Sequence, residues 1–238
     1  MTKGYGMAHF TVIGLGRFGV AASLELIHLG HTVTGVDSDP KIVEKYVESL
    51  TEAVICDCAD EASLRELDLT NCEAVLVAIG EDMQSSLLCT LALKNLGVQT
   101  IWVKASTKAH HTIVSKLGVA RIIHPEEEMG IRVAQSLNYP MVNNFLAIGD
   151  GLYIVEIHIK AQLHHTTVGQ LLGSLQEHSA DEQTNVPRNP KGKVAALMVK
   201  REHNVFSKID SDFSLHTEDA LFLCGSRAEL KQLAPRLV

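Results

Sequence analysis

The chain has 238 residues, 46% hydrophobic and 21% charged, with a formal net charge of −7 at pH 7. That length allows one large domain or two ordinary ones, each able to bury a core without disulfides or metals. The acidic balance argues against a general nucleic-acid or anionic-membrane binder, since both need a cationic face. Five cysteines, odd in number and without framework spacing, fit a reducing compartment. The opening MTKGYGMAHF has no apolar signal core, and no apolar stretch approaches the ~20 residues that span a bilayer. A cytoplasmic protein is expected.

Up to about residue 140, short apolar runs alternate with amphipathic segments, the cadence of βαβ units around a parallel sheet. The first run, His9–Ile13, leads into the glycine turn of TVIGLGRFG and a helix through Leu29, stopped by Gly30. Thr32–Val36 is the second strand and ends at Asp37; Pro40 stands early in the next helix, where its missing N–H costs nothing. Strands three to six are expected at Ala53–Cys56, Ala74–Ile79, Thr100–Val103 and Arg121–Ile123, with helices at about 60–69, 83–96, 107–117 and 126–137. Cys56 and Cys58, one residue apart at a strand end, are expected to face opposite ways and to be structural. Together these elements predict an α/β fold, a Rossmann-like doubly wound parallel sheet over residues 8–140.

Beyond Asn138-Tyr139-Pro140 the rhythm changes and a smaller α+β lobe is expected over 141–238. LYIVEIHI at Leu152–Ile159 alternates as a half-exposed strand. A short helix follows at Val168–Leu175, then the polar stretch 178–193, read as a mobile loop. Val194–Val199 and Val205–Ile209 form a hairpin, and Leu221–Leu223 with a terminal helix closes the lobe.

The G-x-G-x-x-G spacing is weak alone. Here it follows a strand, opens a helix and precedes an acidic residue, Asp37, 18 positions after its last glycine. Gly14 permits the tight turn, Gly16 lets the backbone approach phosphate, and Gly19 lets helix pack on strand. The helix N-terminus supplies free N–H groups and a positive dipole end. Asp37 is placed for ribose hydroxyls. Arg17, inside the turn, is more than a bridging pyrophosphate needs; a charge-assisted arginine contact is worth about 1.5–3 kcal/mol, so ADP or ATP is favoured over NAD. An exposed arginine paired with a nearby carboxylate is the bland alternative.

VLVAIGEDMQ at 75–84 and IWVKASTKAHHTIVSKLGVARIIHPEEEMGIRVAQSL at 101–137 extend the pattern. With FTVIGLGRFG they strongly resemble the RCK or KTN nucleotide-binding domain of the KtrA-type regulatory subunits of bacterial Ktr potassium uptake systems, densely over 8–140 and loosely beyond. The resemblance implies that Gly14, Gly16 and Gly19 form the phosphate turn, with Phe18 in the same segment, and that Asp37 holds the ribose. Arg17 would reach terminal phosphates, also across a subunit interface, with Lys104 beside them. Asp57 and Cys58 would flank adenosine, and Ala78, Ile79 and Gly80 would give backbone lining. Glu126 would stand near the phosphates, where it can help hold Mg²⁺ or another cation. It also implies ATP and ADP as alternative ligands, a homodimer through the helix at 126–137, a larger ring, expected as an octamer, and docking on a KtrB-like membrane potassium-translocating subunit. The protein would then be cytoplasmic and peripheral on the inner face of the membrane.

Other constellations are weaker. His110-His111 and His164-His165 are adjacent pairs that share no helix face, and they read as surface or interface residues. No nucleophile elbow, paired catalytic carboxylates or helix-turn-helix is recognisable, so a non-enzymatic regulator is expected. An NAD(H)-sensing Trk-type regulator is the alternative, and an NAD-dependent oxidoreductase ranks behind it.

Overall fold

Six strands pair in parallel in the order β3-β2-β1-β4-β5-β6: β1 (His9–Ile13), β2 (Thr32–Asp37), β3 (Glu52–Ile55), β4 (Ala74–Val77), β5 (Ile101–Lys104) and β6 (Arg121–Ile123). The structure is a computed structural model. It describes residues 6–139, 142–173 and 194–237 and divides into two units, Met1–Glu128 and Met129–Val238. The stretch 178–193, read from sequence as a loop, lies outside the described residues.

The helices between the strands are α1 (Arg17–His28), α2 (Pro40–Tyr46), α3 (Glu61–Arg65), α4 (Met83–Asn95) and α5 (Lys108–Lys116). Because both faces of a parallel sheet are covered, its strands read as near-continuous apolar runs. Ile13, Val36, Val75, Val77 and Val103 pack with Leu93 of α4 and Val114 of α5 in one cluster. On the other face Val12 and Val33 pack with Leu26 and Ile27 of α1. Each such fully buried aliphatic contributes about 1.5–3 kcal/mol. The helix expected over 60–69 is shorter than its pattern: after Arg65 the backbone tightens, Leu67 N–H bonding to Leu64 O, and a 3-10 turn occupies Leu69–Asn71.

Helix α6 (Pro125–Asn138) follows, with three glutamates in its first turn and no buried residue. The second unit holds an antiparallel sheet in the order β10-β9-β11-β8-β7, from β7 (Val142–Gly149), β8 (Leu152–His158), β9 (Ala195–Arg201), β10 (Asn204–Phe206) and β11 (Ala220–Ser226). β7 has no counterpart in the sequence reading. It is an edge strand with Leu146 and Ile148 exposed, so it lacks the alternation that marked β8. Gly149, Asp150 and Gly151, all at positive φ, turn the chain into β8. Helix α7 (Val168–Leu172) is closed by a capping box from Thr167 and Gln170, and α8 (Arg227–Leu233) by one from Ser226 and Glu229. Val155, Ile157, Leu171, Leu172, Leu221 and Leu223 are at the centre of this unit's own core.

One ion pair ties that core to its loops. Asp219, fully buried, accepts from Arg201 Nε and Nη2, both at 2.8 Å, and from His216 N–H at 2.8 Å. The Arg201 guanidinium also donates to Ser214 O and lies over the rings of Phe206 and Phe213. Burial raises the Asp219 carboxyl, but Arg201 and the His216 N–H outweigh it and hold the group below the usual carboxylate range.

Candidate nucleotide site

The glycine turn is as tight as its spacing requires. Gly14 has φ +95°, and a Cβ there would lie 3.1 Å from backbone atoms of Ala78 and Ile79. A Cβ on Gly19 would come within 1.9 Å of Gly14 O, so helix and strand end are in direct backbone contact. Gly16 differs: a Cβ would meet nothing within 4 Å. It is the N-cap of α1 and supplies no side-chain cap, and the first turn of α1 has no acidic residue. The N-terminal amides of α2, α3, α4, α5, α7 and α8 are each taken by a cap side chain. The amides of α1 are thus left without a side-chain acceptor among the described residues.

Asp37 ends β2. Its Oδ2 accepts from Leu15 N–H at 2.7 Å and its Oδ1 from Asp39 N–H at 2.9 Å. The carboxylate therefore clamps the glycine turn as well as facing the cleft. That cleft, of about 470 Å³, is lined by Gly14, Gly16, Asp37, Asp57, Cys58, Ala78, Ile79 and Gly80. It also includes Ser38, Ile42, Cys56, Glu81, Asp82 and Ser85, which sequence reasoning missed although Ser38, Cys56 and Glu81 adjoin predicted positions. Asp82 is engaged already: as the α4 cap it accepts from Ser85 N–H and Oγ, which lower its pKa.

Cys56 and Cys58 do not face opposite ways. β3 ends at Ile55, so both lie in the turn beyond it; both are buried in one core cluster with Cys89, and both line the cleft. Burial, then the neighbouring Cys58, push the Cys56 thiol up to about 12; Cys58 is raised by hydrogen bonding to the Cys89 thiol and by burial. These protonated thiols line the cleft as small apolar groups, not as nucleophiles.

Phe18, Lys104 and Glu126 form a second cluster that meets the cleft at Gly80. Lys104 Nζ bonds Glu126 Oε1 at 2.7 Å, lies 5.8 Å from the Phe18 ring centroid, and is 2.8 Å from where a Gly80 Cβ would stand. The two partners are unequal: the lysine side chain is 12% exposed and the glutamate 72%. A carboxylate so exposed contributes little to stability and is readily displaced. The Lys104 ammonium, donating to it, holds Glu126 below the usual glutamate range; partial burial opposes, and the charge of Arg17 adds to the lowering. Arg17 is exposed, with no carboxylate in ion-pair range among the described residues. Among those residues, no group of three or more His, Cys, Asp or Glu is arranged to hold a metal ion.

His110 is a correction, because it is fully buried rather than at the surface. Its Nδ1 accepts from Ser106 N–H at 3.4 Å, and burial followed by His124 lowers its pKa. His111 is exposed and hydrogen-bonds His124, whose other ring nitrogen meets Ala105 O.

The TrkA-N domain model matches residues 10–125. The chain is 34% identical over 226 residues to the Ktr system potassium uptake protein A of Bacillus subtilis (strain 168), covering 94% of each. It is 37% identical over 166 residues to the protein of the same name from Vibrio alginolyticus, covering 70% of this chain and 76% of that one. The chain belongs to the family of Ktr system potassium uptake proteins A and C. Ktr proteins are thus its sequence frame, and the fold agrees: the GsuK RCK domain superposes with a TM-score of 0.59 at 15% identity, over 98% of this chain and 48% of that one. The doubly wound sheet of this Ktr-family chain carries the TrkA-N match and has the fold seen in an RCK domain, and its family is that of potassium uptake proteins. No helix among the described residues is long and apolar enough to cross a membrane.

Proposed function

We propose that this chain is the regulatory subunit of a potassium uptake system, and that ATP and ADP compete for the cleft to set its state, without catalysis. The observation that carries this reading is Lys104, an almost buried ammonium at the mouth of the cleft held, among the described residues, only by an exposed carboxylate. A β- or γ-phosphate is a stronger, multivalent partner for it and for Arg17 than Glu126 is. The uncapped amides of α1 take the inner phosphates, and Asp37 the ribose. Glu126 alone is no cation site. A Mg²⁺ or other hard cation there would take its remaining oxygens from phosphate and water, and would neutralise the carboxylate against the phosphates.

Two ligands act as a switch only through different affinities for two states. Adding or losing one arginine–phosphate contact, worth about 1.5–3 kcal/mol, is enough for an equilibrium shift of about 10- to 150-fold. The test is thermal stabilisation of nucleotide-stripped protein by ATP, ADP and NADH, with and without Mg²⁺, beside Arg17→Ala. ATP and ADP should both bind well and NADH poorly, with Arg17→Ala weakening ATP by about 10- to 150-fold and ADP far less. Preference for NADH, or no effect of Arg17→Ala, would replace this reading with an NAD(H)-sensing one. ATP should be recovered intact after the incubation.

The same reading makes the chain a dimer, built into a ring that docks on a membrane potassium-translocating subunit. A groove of about 580 Å³ is open on the first unit's sheet, floored by Phe10, Val12, Leu26, Leu76 and Trp102. Helix α6 exposes Met129, Val133 and Leu137 at i, i+4 and i+8, an apolar stripe suited to that groove on a second copy. The Val133→Asp/Leu137→Asp double variant should sediment as a monomer while keeping the parent's helix content. Assembly unchanged from the parent would remove α6 from the interface.

A further inference from the structure

The second unit holds three imidazoles packed together, and the nucleotide site uses none of them. His164 and His165 follow the 3-10 turn Ala161–Leu163, and His216 stands in the loop leading into β11. Their ring centroids lie 3.9, 5.3 and 5.5 Å apart. The two loops that bear them are joined through the backbone. His165 N–H donates to Leu215 O at 2.7 Å, Leu215 N–H donates to Thr166 O at 2.9 Å, and Thr167 bridges Ser214. His165 holds φ +65°, which side chains other than glycine rarely adopt, so the loop depends on those bonds for its shape.

Across the two loops, Thr217 N–H donates to Nδ1 of His164 at 3.0 Å. That bond sets the ring's state. Nδ1 must present its lone pair, so the imidazole is neutral with its proton on Nε2. A proton on Nδ1 would put two donors face to face. Charge reaches His164 from its own loop, from the facing loop and from β9. His164 is exposed; the slight desolvation by its neighbours, then His165, His216 and Arg201, disfavour its cation, and Asp219 alone favours it. Asp219 is committed to Arg201 and the His216 N–H, so it compensates little, and His164 is held below the usual histidine range.

We propose that His164 is an acid-released latch of the C-terminal unit: neutral, it accepts from Thr217 and adds to the backbone bonds that hold loop 163–166 to loop 214–219. Protonation breaks that bond and leaves the loops to the backbone pairing alone, which then opens more often. The sign follows from the proton balance. The open state binds the proton more tightly than the closed one, so closure is fully favoured above the ordinary imidazole value and weakens as pH falls below it. The latch gives the protein a pH input that needs no nucleotide.

Hydrogen exchange on the full chain, corrected for intrinsic rates and followed from pH 7.5 to 5.5, reads the latch directly at peptides covering 163–167 and 214–219. Opening should rise by up to ~10-fold per pH unit below about 6.5. His164→Gln, whose amide oxygen still accepts from Thr217 but does not titrate, should flatten that dependence. His165→Gln/His216→Gln removes the like-charged neighbours, brings the closed-state value nearer the open one, and should reduce the total rise in opening. Exchange independent of pH in the parent, or an undiminished pH dependence in His164→Gln, would overturn the proposal. Should His164→Gln fail to fold, an undiminished rise in the double variant would overturn it as well.

Discussion

Gly19→Ala is expected to cost about 3 kcal/mol of stability, at the upper end of overpacking penalties, and to abolish nucleotide binding. The new methyl group would fall 1.9 Å from Gly14 O. Neither atom is the end of a flexible side chain, so helix α1 must lift from the strand end and carry its free amides out of line. Gly16→Ala separates folding from binding. At Gly16 a Cβ meets nothing within 4 Å and the backbone is in the extended region, so stability should change by less than about 0.5 kcal/mol. Binding should still fall steeply, because the methyl group occupies the space through which phosphate reaches the α1 amides. Urea unfolding and nucleotide titration of the two variants check both halves. Equal stability losses would mean that the turn's geometry is not what distinguishes its glycines.

Arg201→Met should destabilise the C-terminal unit by about 3–5 kcal/mol, since it leaves the Asp219 carboxylate buried without its counter-charge. Two hydrogen bonds to Asp219 and one to Ser214 go with it, as do the contacts over Phe206 and Phe213. Adding Asp219→Asn should restore part of the loss, because the amide keeps an acceptor for His216 N–H without a charge to neutralise. Urea denaturation of parent, single and double variants reads the cycle; a double variant no more stable than Arg201→Met would show that the cost lies in packing. In the parent, the carboxylate's depressed pKa means that its stabilisation is present above the ordinary aspartate range and is lost as pH falls through and below it.

What could be read in advance was local. The strand, turn and helix of TVIGLGRFG, and the aspartate closing the next strand, are set by residues within one βαβ unit, and period and spacing carry them. The two ion pairs are another matter: Lys104 meets Glu126, and Arg201 meets Asp219, across separate elements, and no periodic pattern encodes such a meeting. The cysteines were misread because their facing depended on where β3 stops, and strand ends are the least legible part of a pattern. His110 looked like one of a surface pair, yet α5 turns it inward and leaves His111 outside. β7 escaped because three of its five apolar residues are exposed at a sheet edge.

The double engagement of Asp37, with one oxygen on Leu15 N–H and the other on Asp39 N–H, has a consequence for what the cleft measures. Under the proposed function, its ribose end is built before any ligand arrives and presents the same face to every adenosine nucleotide. Mono-, di- and triphosphates are then rivals for one seat, told apart only at the far end by Lys104 and Arg17. At cellular concentrations well above the dissociation constants such a seat is never empty. Which rival holds it then depends on the quotient of their concentrations and not on the size of the pool. A protein of this design would be blind to a cell that doubles all its adenine nucleotides, and would respond when the proportion between them drifts.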